Sequence, residues 1–407
     1  MPWGAMTWLA VVPELGYGVP NATGGPPPTT MVLTNAIYPT LVGANAFTMR
    51  KVPIRQTIRS ADGGNRRKFV VGSRRQYQGT LNTLFHPDQG TFWATAAQSV
   101  GLGLATGQAT IASGIVTAGS VTYGGFGYPA TSTTIPVSFI GPCTTPAYGL
   151  ATSSAGGVVT SVAITVGGTG YTAPPGMQIG GMPSYTILYW DGVQFWEFVG
   201  CCIANMNFTA NATQDYVSIG MTWTGQQRPP TQVTAPAWPA ASVYSKLNPY
   251  LFIETAGTIT LTTENTGTPI VMPLTNYRQA SFTLENIIQG TWDEQAWISS
   301  LLYCGRNMNF SMGPQYIGQS WPVTSTTAAA YQTFRQTYEN QSPITMSLEF
   351  VRSSPAHSFT INAQSNSYIS NIQDDIPLDN ASYQNISAEA FIDSTSATGA
   401  DFVITAT

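Results

Sequence analysis

Two histidines, His86 and His357, and four cysteines, Cys143, Cys201, Cys202 and Cys304, are all that 407 residues offer for His- or Cys-based chemistry. An activated nucleophile needs a neighbouring base, and a zinc site needs three or four nitrogen or sulfur ligands. His86, in Leu84-Phe85-His86-Pro87, reads as a turn residue. The cysteines form no CxxC pair, and vicinal Cys201-Cys202 is a poor candidate for a bridge. They read as reduced, partly buried thiols of a chain folded in a cytosolic compartment. Gly101-Leu102-Gly103-Leu104-Ala105-Thr106-Gly107 misplaces its third glycine and follows a helical stretch, so it is no dinucleotide loop; a GxxxxGK[ST] loop is absent. Asp374-Asp375-Ile376-Pro377-Leu378-Asp379 offers oxygens to a hard cation such as Ca²⁺, but its spacing matches no loop motif. A solvated acidic turn, or a docking site for a basic partner, is the simpler reading. The chain reads as a non-enzyme with no cofactor and no metal.

The basic partner is in the same sequence. Nine of fifteen Lys and Arg lie between Arg50 and Arg75, namely Arg50, Lys51, Arg55, Arg59, Arg66, Arg67, Lys68, Arg74 and Arg75, whereas thirteen of nineteen acids follow residue 250. The run is interrupted by Ala61-Asp62-Gly63-Gly64-Asn65, a turn signal between two extended flanks. Three readings stand: a long basic hairpin docking on an acidic surface of a neighbouring subunit (Asp374, Asp375 and Asp379 being the candidates), a solvated hairpin, and a phosphate-binding strip. Charged residues are only 8% of the chain, against roughly 25% in an ordinary domain. Such a surface suits a protein that spends its life against copies of itself.

These residues need elements to position them. Residues 1–43, rich in Pro and Gly, read as an extended arm. Strands are predicted around Lys68–Val71 and Tyr77–Phe85, with a helix from about Thr91 to Ser99. Residues 102–183 contain no Lys, Arg, Asp, Glu or His, and Gly124-Gly125-Phe126-Gly127-Tyr128 is echoed by Gly167-Gly168-Thr169-Gly170-Tyr171. They read as a small β-domain inserted in a host that comprises 44–101 and 184–230. The host resumes with Tyr185–Trp190, an Asp191-Gly192 turn and Phe195–Val199, followed by strands at Ile203–Phe208 and Val217–Trp223. The aromatic pairs Tyr189-Trp190 and Phe195-Trp196 could stack on sugars, though at hairpin alternation they suit core and interface. Residues 231–249 form a Pro/Ala linker and 250–407 a second domain, with strands at Ile344–Val351, Phe359–Ala363 and Phe402–Thr405. The N-terminus lacks the basic start of a signal peptide, and no stretch approaches a membrane span.

A duplication is suggested by Tyr77, Thr83, Leu84, Gln89, Gly90 and Thr91, which recur without a gap as Tyr277, Thr283, Leu284, Gln289, Gly290 and Thr291. Chance similarity of two strand–turn–helix units is the alternative. A helix is predicted after each match, the second at Asp293–Leu302 with Trp297, Ile298, Leu301 and Leu302 on one face. A shorter echo, CxxNMNF[ST], occurs at Cys202–Thr209 and Cys304–Ser311.

The basic hairpin, the strand with Gly79-Thr80-Leu81, the short helix after it, and the strands Phe198-Val199-Gly200-Cys201 and Asn205–Thr209 together resemble the major tail tube proteins of long-tailed bacteriophages. The GGxGY segments are similar to small β-modules that decorate phage tail and fibre proteins. The resemblance implies a mainly β fold: two tandem β-sandwich domains, each with a flanking helix, plus an all-β insert pointing outward. It implies a virion protein assembled in the host cytoplasm into homotrimeric, pseudo-hexameric rings. Rings would stack into a tube through which genomic DNA passes unbound, beside initiator, terminator and tape-measure proteins and no membrane. Arg50, Lys51, Arg55, Arg59, Arg66, Arg67 and Lys68 would form the inter-ring hairpin. The family's lumens are expected to be acidic. Other readings are a capsid, decoration or baseplate protein, and a carbohydrate-binding adhesin.

Overall fold

The computed structural model describes residues 8–16, 19–20, 22–23, 32–33, 36–43, 46–59, 67–98, 105–125, 128, 131–133, 135–140, 143–145, 147–180, 184–190, 195–227, 245, 247–261, 270–273, 277–291, 300–316, 337–375, 382–390 and 402–406. The fold is mainly β, with large antiparallel sheets. Strands β1 (Trp8–Gly16) and β2 (Val19–Pro20) open the chain, followed by a two-strand ribbon of β3 (Ala22–Thr23) and β4 (Val32–Leu33). β5 (Phe47–Arg59) and β6 (Arg67–Leu84) make a long hairpin, and helix α1 covers Gly90–Gln98. β7 (Ala105–Ala112), β8 (Ile115–Tyr123), β9 (Ile135–Ile140), β10 (Tyr148–Ser153), β11 (Val159–Val166) and β12 (Gly176–Ile179) form a separate sheet. The main sheet resumes with β13 (Ser184–Trp190), β14 (Phe195–Asn211) and β15 (Val217–Gln227). It continues with β16 (Thr255–Leu261), β17 (Ile270–Pro273), β18 (Tyr277–Thr291), β19 (Ser300–Tyr316), β20 (Ile344–Ser353), β21 (Ala356–Asp375), β22 (Ser382–Ala390) and β23 (Phe402–Ala406). Fifteen of these strands form one sheet among the described residues.

The sheet contains the same plan twice. The ladders β1·β2, β1·β13, β13·β14, β14·β15, β15·β6 and β5·β6 recur in identical chain order as β16·β17, β16·β20, β20·β21, β21·β22, β22·β19 and β18·β19. Ladder slips fix the residue register: β14 slips by one residue against β15 between Ile203 and Asn205, and β21 against β22 between Ile369 and Asn371. Reading across from there, the row Asn205–Thr222–Thr80–Thr48 corresponds to Asn371–Ser387–Ser311–Ser281. Residue chemistry matches position by position.

This register corrects the sequence reading. The fifteen-residue match sets β6 on β18, whereas the ladders set β6 on β19 and β5 on β18. After Leu84 the chain leaves the sheet at Pro87–Gln89 and enters α1, while the matched Gln289-Gly290-Thr291 stay in β18. The second predicted helix is corrected too: Ser300–Leu302 lie in β19, paired with Thr291–Gln289, and 292–299 lie outside the described residues. Strands expected as pairs are continuous: Phe195–Val199 with Ile203–Phe208 in β14, and Lys68–Val71 with Tyr77–Leu84 in β6. Trp8–Gly16, read as part of an arm, is a sheet strand against β13 with Ala10, Val11 and Val12 buried. The turns at 61–65 and 191–192 and the linker from 231 to 244 lie outside the described residues.

One core serves both units. Phe85 sits in it with ring centroids 5.6 Å from Phe208, 5.0 Å from Tyr250, 5.5 Å from Phe350 and 4.8 Å from Phe359. Each such aromatic buries about 1.5–3 kcal/mol of transfer free energy, and edge-on contacts add about 0.5–1.5 kcal/mol per pair. Polar anchors hold the connecting chain against this core. His86 Nδ1 faces the Leu247 carbonyl at 2.8 Å, which can only accept, so Nδ1–H donates. In the neutral ring Nε2 then accepts from the Thr40 hydroxyl at 2.9 Å. Arg352 donates to both Glu254 carboxylate oxygens (2.7 and 2.6 Å) and to the carbonyls of Asn248 and Pro249 (both 2.7 Å).

The six-strand sheet of 105–179 has its own core, including Val137, Phe139, Tyr128, Tyr171 and Ile179. It is built on a pseudo-dyad between β9 and β12. The GGxGY echo explains why: Tyr128 accepts from Ala105 N–H (2.7 Å) and donates to Ile179 C=O (2.8 Å), while Tyr171 accepts from Ala147 N–H (2.8 Å) and donates to Phe139 C=O (3.4 Å). The Tyr128 hydroxyl thus joins Ile179, the last residue of β12, to its cross-strand partner Ala105, and the Tyr171 hydroxyl ties Ala147, just before β10, to Phe139 of the neighbouring β9. Burial raises both phenol pKa values, so each hydroxyl keeps its proton to donate. Gly125 and Gly168 take φ of +60° and +61°, a conformation that glycine adopts without steric cost. Two equivalent hydrogen bonds, Val159 N–H to Gly124 C=O and Val116 N–H to Gly167 C=O, join the sheet's outer strands.

Candidate functional surfaces of the sheet

Strand pleating sends alternate residues to opposite faces, so one face can be buried while the other meets solvent. Across the run β5-β6-β15-β14-β18-β19-β22-β21, the buried face carries Leu81, Ile219, Phe208, Phe282, Phe310 and Ile369. The opposite face is almost uncharged. Its rows are Thr48–Thr80–Thr222–Asn205–Glu285–Asn307, Asn82–Gly220–Asn207–Thr283–Asn309–Glu389–Tyr368, and Ser218–Thr209–Ser281–Ser311–Ser387–Asn371. Glu285 and Glu389 are the charges in these rows, and both are acidic; Arg50, exposed two residues along β5 from Thr48, adds a cation at the edge of the same face. A shallow hollow lies on this face beneath Val42 and Gly43, lined by Asn82, Asn207, Thr209, Gln214, Tyr216 and Ser218. Its lining carries no charge, nucleophilic thiol or imidazole.

The CxxNMNF[ST] echo now has a physical account. Its two copies lie on β14 and β19, the two neighbours of β18. Met206 and Met308 both stand opposite Leu284, and Phe208 and Phe310 both stand opposite Phe282. Phe282 contacts both rings, at 6.1 and 5.0 Å. The motif's apolar positions face the core and its Asn and Thr/Ser positions face the polar rows. Period-two patterning carried this signal, but pairing partners could not be read from one sequence.

The two units join here. β14 pairs antiparallel with β18 from Asn205↔Glu285 to Asn211↔Gln279, making one sheet of two four-strand halves. β5 bounds the run at one end, and at the other the Tyr368–Asp375 stretch of β21 pairs with β22 alone among the described residues. Beyond Tyr77, among the described residues, β6 pairs only with β5, so Pro53–Arg59 and Arg67–Arg75 form a two-strand ribbon. At ~3.3 Å per residue, seven residues extend it by roughly 20 Å.

The predicted site residues fall as follows. Arg50, Lys51, Arg55 and Arg59 lie on β5, and Arg67 and Lys68 on β6. Asp374 and Asp375 end β21. Arg66 and Asp379 lie outside the described residues. Among the described residues β5 and the Asp374–Asp375 end of β21 are not neighbours in the sheet, since six strands separate them. Sequence reading missed Glu14, which is buried and accepts from the Thr186 hydroxyl and the Gly200 N–H, both at 2.8 Å. Cys201 and Cys202 are free and buried; burial, then the Glu14 charge, pushes their thiols well above the ordinary range. A thiol so placed is a poor nucleophile.

The aromatic hairpin is packed inward: Tyr189 lies 4.8 Å from Phe47, and Trp196 stacks on Phe198 at 6.3 Å with planes 2° apart. Trp190 packs on the cluster of Trp8, Tyr38 and Leu188. Among the described residues no helix is long and apolar enough to cross a membrane, and no three His, Cys, Asp or Glu are grouped to hold a metal. No family model matches the chain, and no curated protein matches it.

Proposed function

We propose that this chain is the tail tube protein of a long-tailed bacteriophage, a virion component assembled in the host cytoplasm. Three copies close into a pseudo-six-fold ring, and rings stack into the channel for genome ejection. The observation that carries this reading is the doubled four-strand unit, joined edge to edge, with one buried face and one broad, sparsely charged polar face. Closing such runs around a ring removes the open edges that would otherwise template aggregation. The Ser/Thr/Asn rows then line the lumen. Their two acids repel DNA phosphates, and Arg50, exposed on the same face two residues along β5 from Thr48, is the cation beside them, so DNA is held weakly and slides. The two-strand ribbon carrying Arg55, Arg59, Arg67 and Lys68 reaches the next ring, and the 105–179 sheet decorates the outside. Initiator, terminator and tape-measure proteins are the remaining partners.

Sedimentation of the purified chain tests this against a variant with Arg55, Arg59, Arg66 and Arg67 changed to Glu. The wild type should form trimers and long polymers, and the variant trimers only. A wild type that stays monomeric when seeded with tail initiator complex, or a variant that polymerises normally, contradicts the reading.

A further inference from the structure

Among the described residues, every main-sheet ladder of the first unit has its counterpart in the second, except the one that joins them. β14 continues past its slip at Ile203/Asn205 into pairing with β18. β21, its counterpart, continues past the equivalent slip at Ile369/Asn371, yet among the described residues the edge that would correspond to the β18 side has no partner. β5, the counterpart of β18, likewise pairs with β6 on one side only. One chain therefore carries a filled junction and the two separated halves of a second one.

We infer that β21 of one copy pairs antiparallel with β5 of the next, in the register of the β14·β18 junction. The inference rests on the self-assembly proposed above and names its contact within a ring. Transferring Asn205↔Glu285, Asn207↔Thr283 and Thr209↔Ser281 through the row correspondence gives Asn371↔Val52, Gln373↔Arg50 and Asp375↔Thr48. In this register Arg50 stands diagonal to Asp375, and Lys51 diagonal to Asp374, within reach of long side chains. The register follows from the backbone correspondence alone, so the charge complementarity supports the pairing independently. A second copy is the occupant because it carries the missing half of the junction, a strand edge of matching length, polarity and charge. Being head to tail, the contact closes a ring or propagates as a filament. It also divides the basic hairpin: Arg50 and Lys51 act within a ring, and the ribbon beyond them between rings.

Directly opposite residues lie about 4.5–5.5 Å apart at Cα, within disulfide range. Thr209→Cys with Ser281→Cys is the internal control, which should close a disulfide within one chain. Thr48→Cys and Asp375→Cys, made in separate preparations, mixed and oxidised, should give a covalent dimer that neither gives alone. The Thr48→Cys/Asp375→Cys double variant should give a covalent ladder stopping at three. A ladder running past three keeps the pairing and overturns the three-copy ring. Assembly without cross-linking, when the control closes, overturns the pairing and leaves self-assembly standing. Monomers with no cross-link overturn both. As a second readout, Arg50→Glu should weaken association at least about tenfold, and Asp375→Arg added to it should restore it. A double variant no better than the single one contradicts the diagonal contact.

Discussion

Phe85 meets Phe359 edge-on, with ring centroids 4.8 Å apart and planes at 81°. The first ring closes β6 of one unit and the second lies in β21 of the other, so the two units share a core. Phe85→Ala should cost about 3–5 kcal/mol. It should lower both units together, seen as one cooperative transition for the main sheet in denaturant titration. Loss of the second unit alone, with the first intact, would show that the cores are separate.

The Arg352–Glu254 pair fastens residues 248–254 to β20. Arg352 holds the Glu254 carboxyl below its ordinary range, mainly through its hydrogen bonds. A carboxyl with a depressed folded pKa contributes stability that is complete above its unfolded value, about 4.3, and is lost as pH falls through the folded one. Stability should therefore decline on acidification below about pH 4.3. Glu254→Gln should flatten that decline and lower stability near neutrality. Arg352→Ala should cost about 1.5–3 kcal/mol, the scale of charge-assisted bonds. Thermal melts across pH check all three statements.

In the six-strand sheet, Tyr128→Phe leaves the Ala105 N–H and Ile179 C=O without their partner. The expected cost is about 1–3 kcal/mol. Tyr171→Phe should cost less, because its bond to the Phe139 carbonyl is long at 3.4 Å. Amide exchange should accelerate at Ala105 in the first variant and at Ala147 in the second. Unchanged exchange at both would show that apolar packing alone holds these ladder ends.

Much of this molecule was legible from residue order, and the limits have physical causes. Period-two alternation gave the strands at 217–223 and 344–351, an apolar run before a turn signal gave 185–190, and the six-strand sheet of 105–179 falls within the charge-free stretch. Pairing was not legible, because β18 and β6 share a sequence pattern yet occupy different places in the sheet. The helix expected at 293–302 failed at Ser300–Leu302, where ladder pairing with β18 outweighs helical periodicity. Glu14 was invisible because its two donors come from residues 186 and 200, brought near only by folding.

The sparsely charged face makes a separate prediction. Asn207→Arg and Asn309→Arg place cations in one row without touching the buried side. Tubes of this variant should assemble normally, yet retain DNA in a manner that salt reverses. Wild-type tubes should retain much less. Equal retention by both would remove the lumen assignment and leave assembly untouched.

Electron microscopy of the purified chain, seeded if necessary with tail initiator complex, tests the central claim most directly. The account predicts hollow tubes of three-fold rings with pseudo-six-fold sheet lining, studded by knobs that vanish when residues 105–179 are replaced by a short linker. Solid filaments, or particles that never form a ring under seeding, would contradict it.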